Sequence, residues 1–283
     1  LSAVASRLFP SLIQSTYTYN APGFNLPVAD ALLDQFPGDA GAFPSNITNV
    51  VADTGVTVIS NVGDLPGTPK RIFIEDQSLI TNFPGNHGIA PLTDALAIYN
   101  LFATIDPTGT IERVTEILKA SATTDKKTLE NALDSLRTLF QENYAFGSPD
   151  GNSASTPLGN RDRFYTNLFD LRSYLENLPF YNQDTKSLGF TIGTLAGSDV
   201  TSLVNAAKTD IAARYALYKL NSFVIRGADS VYNAINNSNG ALDLYAASTG
   251  AGALTDQSLQ DRGAFLVNKL WAVTKDKTTG SGD

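Results

Sequence analysis

The sequence predicts an α/β protein: the C-terminal part of an open, largely parallel sheet over residues 1–105, followed by a mostly helical region over 106–274. Three observations predict it. Residues 1–75 alternate short β-branched or aromatic runs with helical segments and Gly/Pro turns, the strand–turn–helix–strand order of a parallel sheet. After Asp106-Pro107 the apolar period becomes 3.6. Charge divides at the same place: residues 1–105 carry three basic and eight acidic residues, leaving 17 and 20 to the rest.

Each element has its own local reason. Leu1–Phe9 reads as the tail of a helix that ends before Pro10. Ser15–Tyr19 is β-branched and aromatic, a strand stopped by Asn20-Ala-Pro-Gly23. Val28–Phe36 is a short helix closed by Pro37-Gly38. Ile47–Ala52 is a strand with an unbroken apolar pair, Val50-Val51. Val56–Ile59 and Arg71–Ile74 are further strands, separated by the turn Gly63-Asp-Leu-Pro-Gly67. Thr93–Ala103 is a helix that can start one turn earlier.

In the second region the stripes are helical. Ile111, Val114, Ile117 and Leu118 mark a helix over 110–121. Leu129, Leu133, Leu136 and Phe140 mark another over 125–142, with Asp125 as its cap. Phe164, Leu168, Leu171 and Leu175 give a helix over 161–178. The apolar spacing from Val200 to Tyr218 predicts one long helix over 199–223, with Arg214 and Lys219 on a solvated face. Residues 228–235 and 256–273 complete the helical part. Residues 275–283 read as a polar linker. There is no internal repeat and no nonapeptide calcium-binding repeat.

Composition bounds the chemistry. The chain has 283 residues, net charge −8, 42% apolar and 17% charged residues, enough apolar material for a real core and too little charge for a charge-driven disordered chain. No run approaches the ~18 apolar residues of a membrane span. The acidic balance argues against nucleic acid as a partner. Cys is absent, which excludes disulfides, thiol nucleophiles and thiolate metal sites. Met is absent too and there is one His, so any imidazole chemistry must use His87. The opening residues are no signal peptide. The chain is expected to begin inside a structural element, with natural polypeptide upstream.

In an open parallel sheet the reactive groups sit on loops at the carboxyl ends of strands. Two loops qualify. One follows Val50-Val51 and holds Asp53; the other follows Ile72-Phe73-Ile74 and leads through Asn82-Phe-Pro-Gly-Asn-His-Gly88 into a helix. This order, a strand-end Asp followed by a loop His, is that of the α/β-hydrolases. An imidazole that takes a proton from a nucleophile needs a carboxylate on its other nitrogen to fix its tautomer. His87 as a loop residue capping backbone groups is the alternative. Asp64 is the second choice for the acid, and Glu75 and Asp76, directly after a strand, the third. No G-x-S-x-G occurs in the sequence.

Several segments carry a resemblance. They are Ala5-Ser-Arg-Leu-Phe-Pro10, Tyr17-Thr-Tyr-Asn-Ala-Pro-Gly-Phe24, Ile74-Glu-Asp-Gln77, the block Asn86-His-Gly-Ile-Ala-Pro-Leu-Thr-Asp-Ala-Leu-Ala-Ile-Tyr-Asn-Leu-Phe-Ala-Thr104, Gly240-Ala-Leu-Asp-Leu-Tyr245 and Asp261-Arg-Gly-Ala-Phe-Leu266. Together they resemble the lipase-like, class 3-type α/β-hydrolase regions of large bacterial RTX proteins exported by type I secretion, entered just after the nucleophile elbow. The resemblance implies a secreted, extracellular carboxylester hydrolase acting on a lipid or ester substrate. In it His87 is the base, Asp53 the acid, and the Ser comes from an upstream polypeptide segment. The chemistry needs no cofactor in this chain; calcium is expected only in the parent protein. The rival reading is a non-catalytic module of a giant adhesin or surface-layer protein. A sugar- or peptide-binding module would need an exposed aromatic cluster. Tyr17 and Tyr19 alternate with Thr16 and Thr18, so one pair faces the core, and Trp271 reads as an apolar anchor.

Overall fold

The computed structural model describes residues 2–19, 21, 25–37, 41–52, 64–75, 89–121, 128–141, 161–195, 198–237 and 254–278. The chain forms two compact units, Leu1–Leu96 and Ala97–Asp283.

The first unit holds helix α1 (Ser2–Leu8), strand β1 (Thr16–Tyr19), helix α2 (Leu26–Leu33), strands β2 (Ile47–Ala52) and β3 (Thr68–Ile72), and the start of helix α3 (Ile89–Ile105). The strands form one sheet in the order β1-β2-β3, and both pairings are parallel. The α/β class with a small parallel sheet is therefore present. β2 has the bounds that its apolar run predicts, whereas β3 begins at Thr68 and ends at Ile72. The strand expected at 56–59 lies outside the described residues. α2 starts two residues early because Asn25, in extended conformation, caps it by accepting from the Val28 N–H at 3.4 Å, with Pro27 in the first turn.

β2 is the central strand, and its Ile47, Val50, Val51 and Ala52 are all buried. It carries one polar residue inward. Asn49 accepts from the Thr18 hydroxyl of β1 and donates to the Pro66 carbonyl just before β3. A buried amide is tolerated when both its ends are bonded, and here it ties three strand segments together. At Gly67 (φ +83°) a Cβ would lie 2.1 Å from the Ile47 carbonyl oxygen, so only glycine fits. Among the described residues β3 is an edge strand, Thr-Pro-Lys-Arg-Ile, largely exposed. On α1, Ser6 bonds the Thr16 hydroxyl of β1. The fully buried Arg7 guanidinium pairs with Asp30 of α2 and with Asp34 (2.6 Å) at its C-terminal cap, and lies 5.1 Å over the Phe43 ring.

The second unit is mostly helical: α4 (Ile111–Ser121), α5 (Thr128–Phe140), α6 (Asp162–Glu176), α7 (Val200–Thr209), α8 (Ile211–Lys219), α9 (Asp229–Asn237) and α10 (Asp256–Thr278). Four of them, α4, α5, α6 and α10, have three turns or more, the first three where their stripes predict them. The proposed cap Asp125 lies outside the described residues. Two features depart from the expectation. The helix expected over 199–223 is two helices and a strand, because Asp210 is extended (φ −109°, ψ 111°) and its carboxylate caps α8 by accepting from the Ala212 and Ala213 N–H groups. Strands β4 (Thr191–Thr194) and β5 (Phe223–Arg226) form an antiparallel pair that the helical reading missed.

The core of this unit gathers Leu203, Val204 and Ala207 of α7, Ala216 and Leu217 of α8, and Leu259 and Leu266 of α10. Arg214 does not lie on a solvated face. It is 7% exposed and donates to the Ala207 and Leu254 carbonyls at 3.0 and 2.8 Å. On α6's approach, Arg161 pairs with the buried Glu130 of α5 and stacks 4.1 Å over Phe164. The Asp106 carboxylate, 1% exposed, accepts from the Thr108 N–H (2.9 Å) and hydroxyl (2.7 Å) on one oxygen. Its other oxygen accepts from the Ile192 N–H of β4 (2.8 Å), so it fastens the end of α3 to the ribbon. Among the described residues no helix is long and apolar enough to cross a membrane.

Candidate functional site

Because β1, β2 and β3 are parallel, all three deliver the chain to one end of the sheet. β1 leaves at Tyr19 toward the Asn20-Ala-Pro-Gly23 segment. β2 leaves at Ala52, and the next residue in sequence is Asp53. β3 leaves at Ile72 and runs through the buried Phe73 and Ile74 to Glu75. Asp53, Asp76 and His87 themselves lie outside the described residues.

The other acid candidates separate. Asp64 is exposed and stands four residues before β3, on the side where that strand enters the sheet. Glu75 stands on the side where the strands leave, and it is 3% exposed. A carboxylate so withdrawn from water needs partners in the protein, and Glu75 has them. Of the two, Glu75 is the one at the sheet end where the Asp53 loop departs. In the sequence it stands only third among the acids, with Asp76, since burial of a strand-end Glu leaves no mark in the pattern.

Tyr17 and Tyr19 of β1 are 57% and 47% exposed, while Thr16 is buried. The threonines therefore face the α1 side, and the tyrosines face outward. The side chain of Trp271 lies outside the described residues. Among the described residues no group of three His, Cys, Asp or Glu could hold a metal ion.

The second unit carries a cleft of about 370 Å³ between the end of α4, α5, the α8–β5 connection and α10. Lys219 lines it. Lys219 is half-buried: its ammonium lies 4.7 Å over the Tyr218 ring, and burial pushes its pKa down to about 8. Burial likewise raises the Tyr215 and Tyr232 phenols. The sequence signal for this cleft was polar residues at helical spacing, Asn131, Asp134 and Ser135, beside the leucine stripe of α5.

The fold thus defines an α/β protein with a three-stranded parallel sheet in one unit and a helical second unit bearing a short antiparallel ribbon. No protein-family model, curated protein or solved structure matches the chain.

Proposed function

We propose that the first unit is the C-terminal part of a secreted, lipase-like carboxylester hydrolase whose nucleophilic Ser is supplied by an upstream polypeptide segment. The observation that carries this reading is the parallel sheet. Its common carboxyl end receives the β2 exit next to Asp53 and the β3 exit that leads on toward His87. In this reading the Ser attacks the ester carbonyl, and His87 takes its proton and returns it to the leaving alcohol. Asp53 holds the His87 tautomer, and backbone N–H groups at the elbow bind the oxyanion. The role needs no cofactor in this chain.

Two further features support it. Among the described residues β1 pairs on one side only, so its outer edge is open to another strand. Phe9, Leu12, Tyr17, Tyr19, Leu32 and Phe36 are each about half exposed or more, apolar side chains that a covering segment would bury. An upstream segment that adds to β1 and covers this surface meets both needs.

The test is p-nitrophenyl ester hydrolysis by residues 1–283 alone and by the same chain with its upstream segment. Turnover is expected only in the second, falling about ten-thousandfold in His87→Ala. Turnover by 1–283 alone overturns the reading, because it requires a nucleophile within this chain. A folded pair without turnover assigns the chain instead to a non-catalytic module of a large surface protein.

A further inference from the structure

Most polar side chains around the cleft of the second unit are already occupied. Asp134 faces Arg137 of its own helix at 3.9 Å, the Lys219 ammonium lies over the Tyr218 ring, and both have further partners. Ser135 Oγ donates to the Asn131 carbonyl and Ser121 Oγ to the Ile117 carbonyl, each at 2.8 Å, and Ser222 Oγ meets Ser121 Oγ. Among the polar side chains of the described lining, only the carboxamides of Asn131 and Asn221 have no hydrogen-bond partner. They come from different walls, Asn131 from α5 and Asn221 from the α8–β5 connection. The residue before Asn221 is strained. Leu220 closes α8 in the left-handed conformation (φ 57°, ψ 38°), which disfavours a residue bearing a Cβ. Strain of this kind collects at ligand clamps, and here it sets the wall that carries Asn221.

A carboxamide presents an NH2 donor and a C=O acceptor side by side. An extended peptide is its complement. Each residue turns its N–H and C=O to the same side, and the next residue turns its pair to the opposite side. One carboxamide thus takes both main-chain groups of one residue, and a second carboxamide on another wall takes those of the neighbour. Leu220, Phe265 and Leu266 supply apolar lining for a side chain, and Phe265 is 55% exposed. The volume of about 370 Å³ is near the small end of the range for ligand pockets, about 300–1,000 Å³. We infer that this cleft binds a short extended peptide segment through its main chain, with Asn131 and Asn221 each clasping one residue and an apolar side chain set against Phe265. The site is independent of the ester chemistry proposed for the first unit.

The probe is the uncharged peptide N-acetyl-Ala-Leu-Ala-amide, added to the isotope-labelled 283-residue protein and followed by NMR. The side-chain NH2 signals of Asn131 and Asn221, identified by their loss in Asn131→Ala and Asn221→Ala, are expected to shift at millimolar peptide. Each of these substitutions removes bonds to one residue of the guest and should weaken binding roughly three- to tenfold, as should Phe265→Ala. Phe169→Ala, a 58% exposed aromatic on α6, should leave binding unchanged and so controls for non-specific contact. The unaltered protein gives a second measurement. A depsipeptide analogue, with an ester oxygen in place of the central amide N–H, keeps the shape and side chains but lacks a donor, and should bind roughly three- to tenfold more weakly. A peptide that shifts neither NH2 signal overturns the inference, as does binding that survives both asparagine substitutions, or equal binding of the depsipeptide. D-glucose shifting the two signals where the peptide does not would mark the cleft as a hydroxyl site and also overturn it.

Discussion

Removing the Asp106 carboxylate should destabilise the second unit by about 3–4 kcal/mol, more than any exposed substitution can. The largest part comes from Ile192. Its N–H sits in β4 beside a side chain only 2% exposed and gives its proton to Asp106 at 2.8 Å. Left without that acceptor, a buried donor costs roughly 1–3 kcal/mol. The two Thr108 bonds are worth less, about 1 kcal/mol together, since Thr108 is exposed and can turn to water. Arg113 reaches the carboxylate at 3.5 Å with 38% of its side chain exposed, and that pair contributes under about 1 kcal/mol. Asp106→Asn keeps one acceptor oxygen but puts an NH2 group either against Ile192 or against Thr108, so it should cost about 2 kcal/mol. Arg113→Ala should cost under about 1 kcal/mol. Urea unfolding followed by far-UV circular dichroism gives all three values at 25 °C. If Asp106→Ala costs less than about 1 kcal/mol, the carboxylate does not fasten α3 to the ribbon. If Arg113→Ala matches Asp106→Ala, the ion pair carries the effect and the ranking above is wrong.

Three other outcomes are expected. The pair of Arg7 with Asp30 and Asp34 is asymmetric, because Arg7 is fully buried while the aspartates are half exposed; the double substitution Asp30→Asn, Asp34→Asn should cost about 3 kcal/mol and Arg7→Met only about 1 kcal/mol in urea unfolding, and the reverse order would refute this. Lys186 is exposed with φ +52°, a conformation unfavourable for a side chain bearing a Cβ, so Lys186→Gly should raise stability by about 0.5–1 kcal/mol, read as a higher Tm by scanning calorimetry. Burial holds Lys219 at about 8, below its free value near 10.4; the unfolded state then binds more protons between those values, so stability should rise with pH across that window, and Lys219→Met should flatten the rise. Above about pH 10 the raised Tyr215 and Tyr232 pKa values reverse the trend in both proteins, because the unfolded phenols ionise first.

Much of the scaffold was legible because burial and period coincide. Ile47–Ala52 is an apolar run of strand length, and it is the central strand. Leu129, Leu133, Leu136 and Phe140 keep a helical stripe and are all buried in α5. The stripe from Val200 to Tyr218 misled for a physical reason. Asp210 breaks the backbone without breaking the apolar spacing, since the residues on either side return to the same core. β4 was hidden by its length: four residues, Thr-Ile-Gly-Thr, are too few to show a period of two. Arg214 looked solvated because its carbonyl partners lie far off along the chain, at Leu254, or across the turn, at Ala207. At the candidate site, the order of Asp53 and His87 along the chain was legible. The burial of Glu75 and the assembly of the cleft from four separate segments were not, because both depend on packing that no local pattern records.

β3 offers a last consequence. Its sequence is Thr-Pro-Lys-Arg-Ile, and Pro69 has no N–H to give to a further strand. Two neighbouring cationic side chains also discourage an incoming backbone. Among the described strands the sheet is thus sealed along one border and receptive along the other, at β1. Among the described strands, stray pairing between copies through β1 would leave a β3 border facing outward on each side, so pairing through this sheet would stop at a pair.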